Sequence, residues 1–331
     1  MSLTEWGKVD FQTFINEFNK KLVIENAPII LYSKKDKEPE AFYSLIAFFF
    51  LTGGLFIYIA LSTFLISLYF SLIVFLTVIL IGAVLDAFLI INYIRSNTPI
   101  RPLECWVEIF QAKETYYCLS YYPIFTGKSL PNKAKNIIYK LYQDEVLKSK
   151  IDVTQIEVYF RLMNDNNKFL QNLGYFFQSG EGVPFKSEKI NRNSWRFFHS
   201  EKTRNDNYLA TANWDHQYEW QDDLELDYDK LHTYAPWVIK KWDEVNLKPI
   251  TDEFKTQINW DLRRIESLPK LKPWIGTLET QTYESFKAYK DLQIVDNVIE
   301  KIIGSEIKIH KLKDIKDKLL EIKAYFRDLI N

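Results

Sequence analysis

Residues Ala41–Tyr93 read AFYSLIAFFFLTGGLFIYIALSTFLISLYFSLIVFLTVILIGAVLDAFLIINY, and this stretch sets the expected fold. Its 53 residues hold 41 apolar side chains and one charge, Asp86. A bilayer core of roughly 30 Å takes about 20 helical residues to cross. The run is too long for one crossing and too short for three with turns. It predicts a two-helix transmembrane hairpin, about 41–62 and 68–93, joined by an uncharged turn near Thr63–Ser67. Backbone polar groups in hydrocarbon must be satisfied within the segment, so both crossings are expected to be helical.

The flanks set an orientation. Lys20, Lys21, Lys34, Lys35 and Lys37 precede the run, Arg95, Arg101 and Lys113 follow it, and the turn has no basic residue. That asymmetry places both termini on the cytoplasmic or equivalent side of an integral membrane protein, with membrane lipid as its first partner. Gly53 and Gly54, then Ser67, Ser71, Ala83 and Ala87, are small residues that allow helix backbones to approach closely in lipid. Asp86 is the intramembrane polar candidate: a proton or cation site, or an interfacial anchor near the end of the second crossing.

Outside this run the chain is ordinary. It has 331 residues, 42 basic and 43 acidic side chains and a net charge of −1, so no basic excess points to nucleic acid. Two cysteines, Cys105 and Cys118, make no disulfide framework. Neither an Asn-x-Ser/Thr acceptor nor a cleavable signal sequence is present.

The expected fold class is α+β, in four parts. Residues 1–40 form an N-terminal segment whose Phe11, Phe14, Phe18 and Leu22 recur at helical spacing. They suit packing on the protein's own domain or lying on a bilayer. Residues 41–93 are the hairpin. Residues 97–229 form an α+β domain: strands Leu103–Gln111 and Thr115–Tyr122, helix Asn132–Lys148, strand Val153–Leu162, helix Asn166–Gln178 and strand Gln221–Asp229. Residues 230–331 read as helical, with segments Leu231–Val245, a stripe from Ile250 to Leu268, Thr282–Ile303 and His310–Leu329. The last carries Leu312, Ile315, Leu319, Ile322, Phe326 and Leu329 as a heptad seam. This is the candidate partner interface, with intramolecular packing as the alternative.

Motifs that carry chemistry are sparse. Thr126-Gly127-Lys128-Ser129 sits between a strand and a helix, but Tyr122 replaces the first glycine of a phosphate loop and Pro123 stiffens the approach. Asp223, Glu225, Asp227 and Asp229 would share one face of a strand and could hold a divalent cation, or form a solvated acidic edge. Of the four histidines, none stands in a zinc-binding motif, and Cys118 with His199 is only a paper pair. Seven of the nine tryptophans lie between Trp195 and Trp274, which fits a core built of large rings, or an aromatic contact surface.

These readings predict no cofactor and no catalytic residue. They favour a non-enzymatic membrane subunit or scaffold holding its cytosolic part in a larger assembly, with other protein subunits or copies of itself as partners. A two-helix channel or pore-forming effector is the second reading, and a membrane-tethered metal-dependent enzyme the third.

Overall fold

The computed structural model describes residues 5–34, 36–38, 53, 98–163, 169–180, 194–199, 208–221, 237–263, 265–281, 283, 287–304, 321 and 324. The chain divides into two compact units, Met1–Asp36 with Ile100–Asn331, and Lys37–Pro99. In the second, strands β3 (Lys37–Glu38) and β4 (Thr98–Pro99) pair antiparallel.

The first unit is dominated by antiparallel sheet. Strands β5 (Pro102–Ala112), β6 (Tyr116–Phe125), β8 (Ile156–Met163), β9 (Phe169–Gln178) and β10 (Trp195–His199) lie side by side in that order. Two short strands share the outer edge of β5: β1 (Gly7–Val9) pairs antiparallel and β14 (Leu247–Pro249) pairs parallel. Strand β7 (Asp152–Val153) continues β8 along the same side of β6. A second sheet runs β12 (Tyr218–Gln221), β11 (Tyr208–Thr211), β2 (Ile29–Ser33), β13 (Trp237–Lys240). The two sheets meet at a bridge between Ser179 and Tyr218.

The large sheet is covered on both faces, which explains why β6 is buried along nearly its whole length. Odd-numbered residues Tyr117, Leu119 and Tyr121 join Val107, Val158 and Phe177 beneath the N-terminal helices. Even-numbered Cys118 meets Trp6, Phe176 and Leu271, while Tyr122 and Ile124 meet Ile250, Phe254 and Trp260. Period-2 alternation thus sends one strand into two cores.

The N-terminal helices follow from their caps. Helix α1 (Phe11–Phe18) starts at Asp10, whose carboxylate accepts the Thr13 N–H at 2.9 Å. Asn19, at φ 76°, breaks the stripe and caps α2 (Lys20–Glu25) through the Lys21 N–H. The Phe14 ring packs at a tilt against Tyr117 at 5.7 Å, and the Tyr121 hydroxyl donates to the Val23 carbonyl at 2.7 Å. The amphipathic face therefore packs on the protein's own sheet.

Several expectations are overturned. Among the described residues the architecture is mostly antiparallel sheet with few helices, not the expected α+β and helical arrangement. Among the described residues no helix is long and apolar enough to cross a membrane, so the two-helix transmembrane hairpin is not supported. The integral-membrane location with both termini on one side falls with it. So do the anchored-subunit, channel and membrane-tethered readings of function. Apart from Gly53, residues 41–93 lie outside the described residues. The physical reason is general: an apolar run reports avoidance of water, and burial in protein satisfies that as well as lipid does. Strand β6 shows it, with nine of its ten residues buried.

Smaller corrections concern the helices. Asn166–Gln178, expected helical, supplies strand β9, and Leu231–Val245 supplies strand β13. The stripe from Ile250 to Leu268 yields only α4 (Asp252–Gln257) and a 3₁₀ turn at Trp260–Arg263. Asn132–Lys148 becomes α3 (Lys133–Tyr142) followed by a π turn, Gln143–Leu147, that ends on Lys148 at φ 52°. The helix over Lys287–Gly304, here α5, is close to expectation.

Candidate functional site

Three polar centres and one cleft stand out in the first unit. The first centre is built by the turn between β11 and β12. Asn213 organises that turn: its side-chain oxygen accepts the Asp215 N–H at 3.1 Å and its amide donates to Gln217 at 2.7 Å. His216 then sits at φ 53°, a left-handed conformation that a non-glycine residue adopts only when surrounding contacts enforce it. Successive residues of this turn point into two neighbouring charge clusters. Asp215 pairs with Lys128, whose ammonium also approaches Asp291 on α5 at 3.4 Å and lies 5.0 Å from the Trp214 ring. Burial opposes the Lys128 charge, but Asp215 and the neighbouring carboxylates outweigh it and hold its pKa well above the usual lysine value.

His216 is held from both sides. Its Nδ1 is 2.8 Å from Asp152 on β7 and its Nε2 is 3.1 Å from Asp36, with Phe125 stacked beneath the ring at 4.0 Å. Burial works against the imidazolium, yet the hydrogen bonds it donates to Asp152 and Asp36 lift its pKa to about 9. An imidazole charged at neutral pH, with both nitrogens engaged, is no base for a substrate. This centre is a cross-link.

The second centre is a row of polar groups across the even-numbered face of the large sheet, where Glu108, Ser120 and Glu157 are in register. Glu108 receives Lys255 at 2.7 Å, Lys8 at 3.1 Å and the Tyr122 hydroxyl at 3.1 Å. Glu157 accepts from the Tyr159 hydroxyl, from Gln155 at 3.1 Å and from the Lys270 backbone N–H at 3.1 Å. The third centre is the Lys270 ammonium, 3.8 Å from Glu157 and 3.5 Å from the Trp195 ring centroid. Burial pushes Glu157 up and Lys270 down, so each is driven toward its neutral form.

The cleft is different in kind, because it is open. It encloses about 490 Å³, within the range of small-molecule sites. Its floor is Trp106 stacked on Phe254 at 3.8 Å with an 11° interplanar angle, continued by Ile124, Ile151 and Ile258. Its polar rim is Glu104, Lys148, Ser149, Thr251, Glu253 and Gln257. Trp106 is fixed by its own strand: its indole N–H donates to Glu104 at 2.7 Å, and Lys248 closes on the other carboxylate oxygen at 2.6 Å. Phe254 is fixed by α4, which Thr251 caps by accepting the Phe254 N–H at 3.1 Å.

The sequence-derived candidates fare unevenly. Lys128 of the Gly-Lys-Ser segment is fully buried in its ion pairs, which leaves no exposed ammonium for a phosphate. Cys118 and His199 have separate partners, Ser120 and Glu279. Trp195, Trp214, Trp242 and Trp260 are buried, in agreement with the core reading of the tryptophan cluster. Gly53 has nothing within 4 Å of an added Cβ. Asp86, Gly54, Ser67, Ser71, Ala83 and Ala87 lie outside the described residues. So do the seam residues Leu312, Ile315, Leu319, Ile322, Phe326 and Leu329, and the acidic row Asp223, Glu225, Asp227 and Asp229. Among the described residues no three His, Cys, Asp or Glu side chains converge for a metal ion.

Sequence reasoning did not find the cleft. Its floor joins a strand residue to a helix residue far along the chain. The one local signal was Thr251 followed by Asp252 and Glu253, a helix start. The chain matches no family model, no curated protein and no solved structure.

Proposed function

We propose that the protein is a binding protein and that the cleft over Trp106 and Phe254 is its binding site. One observation carries this reading: the three polar centres are buried and largely occupied by internal partners, whereas the cleft joins an open apolar floor to unburied polar groups. Such a site suits a small amphipathic molecule that lays a ring or short chain on the Phe254 side and bonds the rim. Gln257→Trp provides the test, because Gln257 is exposed and a large ring there would fill the cleft without touching the core. Fragments screened by saturation-transfer NMR should bind the wild type and lose their signal in the plugged variant. Fragments that bind both equally would sink the assignment.

A second reading has its own support. Leu103, 41% exposed, lies on the cleft rim, and Val245, 75% exposed, leads into the strand that pairs with Cys105. Two uncovered apolar side chains near one opening suit a contact with another protein subunit. Val245→Lys would then abolish co-purification of partners and leave fragment binding intact.

A further inference from the structure

The His216 cross-link lies where the chain leaves the first unit and where it returns. Asp36 is the last residue before the Lys37–Pro99 unit and Ile100 the first after it. The Ile100 N–H donates to the Asp36 carbonyl at 2.9 Å, so exit and return are already tied by backbone. The Asp36 side chain reaches inward to His216, and through His216 to Asp152, which pairs with Phe125 on the central strand β6. Phe125 itself forms the platform under the imidazole. The neck is therefore anchored to the most buried strand of the sheet through one ring.

We infer that His216 is a charged clamp that fixes the exit and return points of the Lys37–Pro99 unit, so that opening this neck requires loss of the imidazolium or of one of its two carboxylates. The surroundings point the same way. Asp36 faces the ring from the neck, Asp152 from β7 and Asp215 is its neighbour in the turn, while Lys128, Arg263 and Asp291 complete the charges around Asp152. Asp215 is paired with Lys128, whereas Asp36 and Asp152 both contact the imidazole, so the ring is the charge that joins the neck carboxylate to the one on β7. Arg263 cannot substitute for it, because its Nη1 and Nε donate to the carbonyls of Ile151 and Ile258. Phe125 excludes water from one face, and a hydrogen bond between charged partners is stronger there than in water.

The role differs from that of an ordinary core histidine in where it acts. Removing it should loosen the neck selectively and leave the sheet closed. The experiment is amide hydrogen exchange with limited trypsin digestion on the full chain, comparing wild type, His216→Gln and Asp36→Asn. Loss of a charge-assisted hydrogen bond corresponds to roughly tenfold or more in protection. The Ile100 amide should lose protection by about that factor in both variants, with tryptic cleavage at Lys37 accelerated, while β8 and β9 keep wild-type protection. In the wild type the same loss should appear as pH rises through about 9, after correction for intrinsic exchange, and should be absent in His216→Gln. Unchanged protection at Ile100 in Asp36→Asn would overturn the clamp. So would loss of protection spread evenly over all strands in that milder variant, which would make the histidine a general core residue.

Discussion

Lys128 and Asp215 form an ion pair in which neither side chain is more than 1% exposed. The two come from distant parts of the chain, the loop after β6 and the turn before β12, and each is supplied by a segment that the other helps to order. Removing one partner leaves a buried charge uncompensated, which typically costs 3–5 kcal/mol, whereas replacing both by apolar residues is often neutral. Lys128→Met should therefore lower unfolding free energy by about 3–5 kcal/mol, and Lys128→Met with Asp215→Leu should recover much of that loss. Urea unfolding of the four members of a double-mutant cycle measures it. Additive losses in the double variant would show that the two charges do not act as a pair.

His216 makes stability depend on pH with a definite sign. Its folded pKa of about 9 is raised above the unfolded value of about 6.5. Below the unfolded value the ring is charged in both states and the stabilisation is complete. It declines once the unfolded state alone gives up its proton, and is gone above the folded value. A difference of that size corresponds to about 3 kcal/mol between pH 6 and pH 10. Thermal melts of wild type against His216→Gln across this range should converge at high pH. Parallel curves would show that the imidazolium carries no such linkage.

Gly174 stands beside the irregularity in the β8–β9 ladder, where the register shifts between Tyr159 and Phe160. Its φ is 152°, and an added Cβ would meet the Phe198 carbonyl oxygen at 2.3 Å and the Phe197 ring at 2.5 Å. The carbonyl belongs to the paired strand β10 and cannot rotate away. Gly174→Ala should therefore cost about 3 kcal/mol or more by combining backbone strain with a clash. Far-UV circular dichroism during urea unfolding reads it directly, and a midpoint within error of wild type would mean that the strands part without penalty.

The legible and illegible parts of this fold separate along physical lines. The β5–β6 hairpin was readable, because Val, Ile, Tyr, Trp and Phe fill two runs around a polar turn at Lys113 and Glu114, both at positive φ. The strand at β8 was readable for the same reason. Helix α1 was readable from Phe11, Phe14 and Phe18, although Asn19 as its terminator was not anticipated. Strand β9 was mistaken for a helix because Tyr175, Phe176 and Phe177 are buried in succession on both faces of the sheet, so period-2 alternation disappears there. Strand β13, only four residues long and partly exposed, is too short to show a period. Asp86, the seam and the acidic row fall outside the described residues, so the structure does not bear on them. The clusters around Lys128 and His216 and the cleft floor each join segments far apart in sequence. No local spacing encodes such meetings.

Glu157 and Lys270 offer a contrast between a carboxylate rich in donors and an ammonium poor in acceptors. Glu157 accepts from Tyr159, Gln155 and the Lys270 N–H, so Glu157→Leu strands several buried donors. The Lys270 ammonium has no hydrogen-bond partner among the described residues and only a loose 3.8 Å approach to Glu157. Orphaned buried donors cost about 1–3 kcal/mol each, so Glu157→Leu should destabilise by about 3 kcal/mol, while Lys270→Met should stay within about 1 kcal/mol of wild type. The pH dependence distinguishes them further. Burial depresses the Lys270 pKa below the unfolded value, so the unfolded state binds more protons and wild-type stability rises as pH climbs through the folded value toward that of free lysine. Lys270→Met should abolish that rise. Denaturant titrations between pH 7 and pH 11 test both statements, and a large loss in Lys270→Met would mean that the contact with the Trp195 ring, at 3.5 Å, stabilises the buried cation more than its desolvation costs.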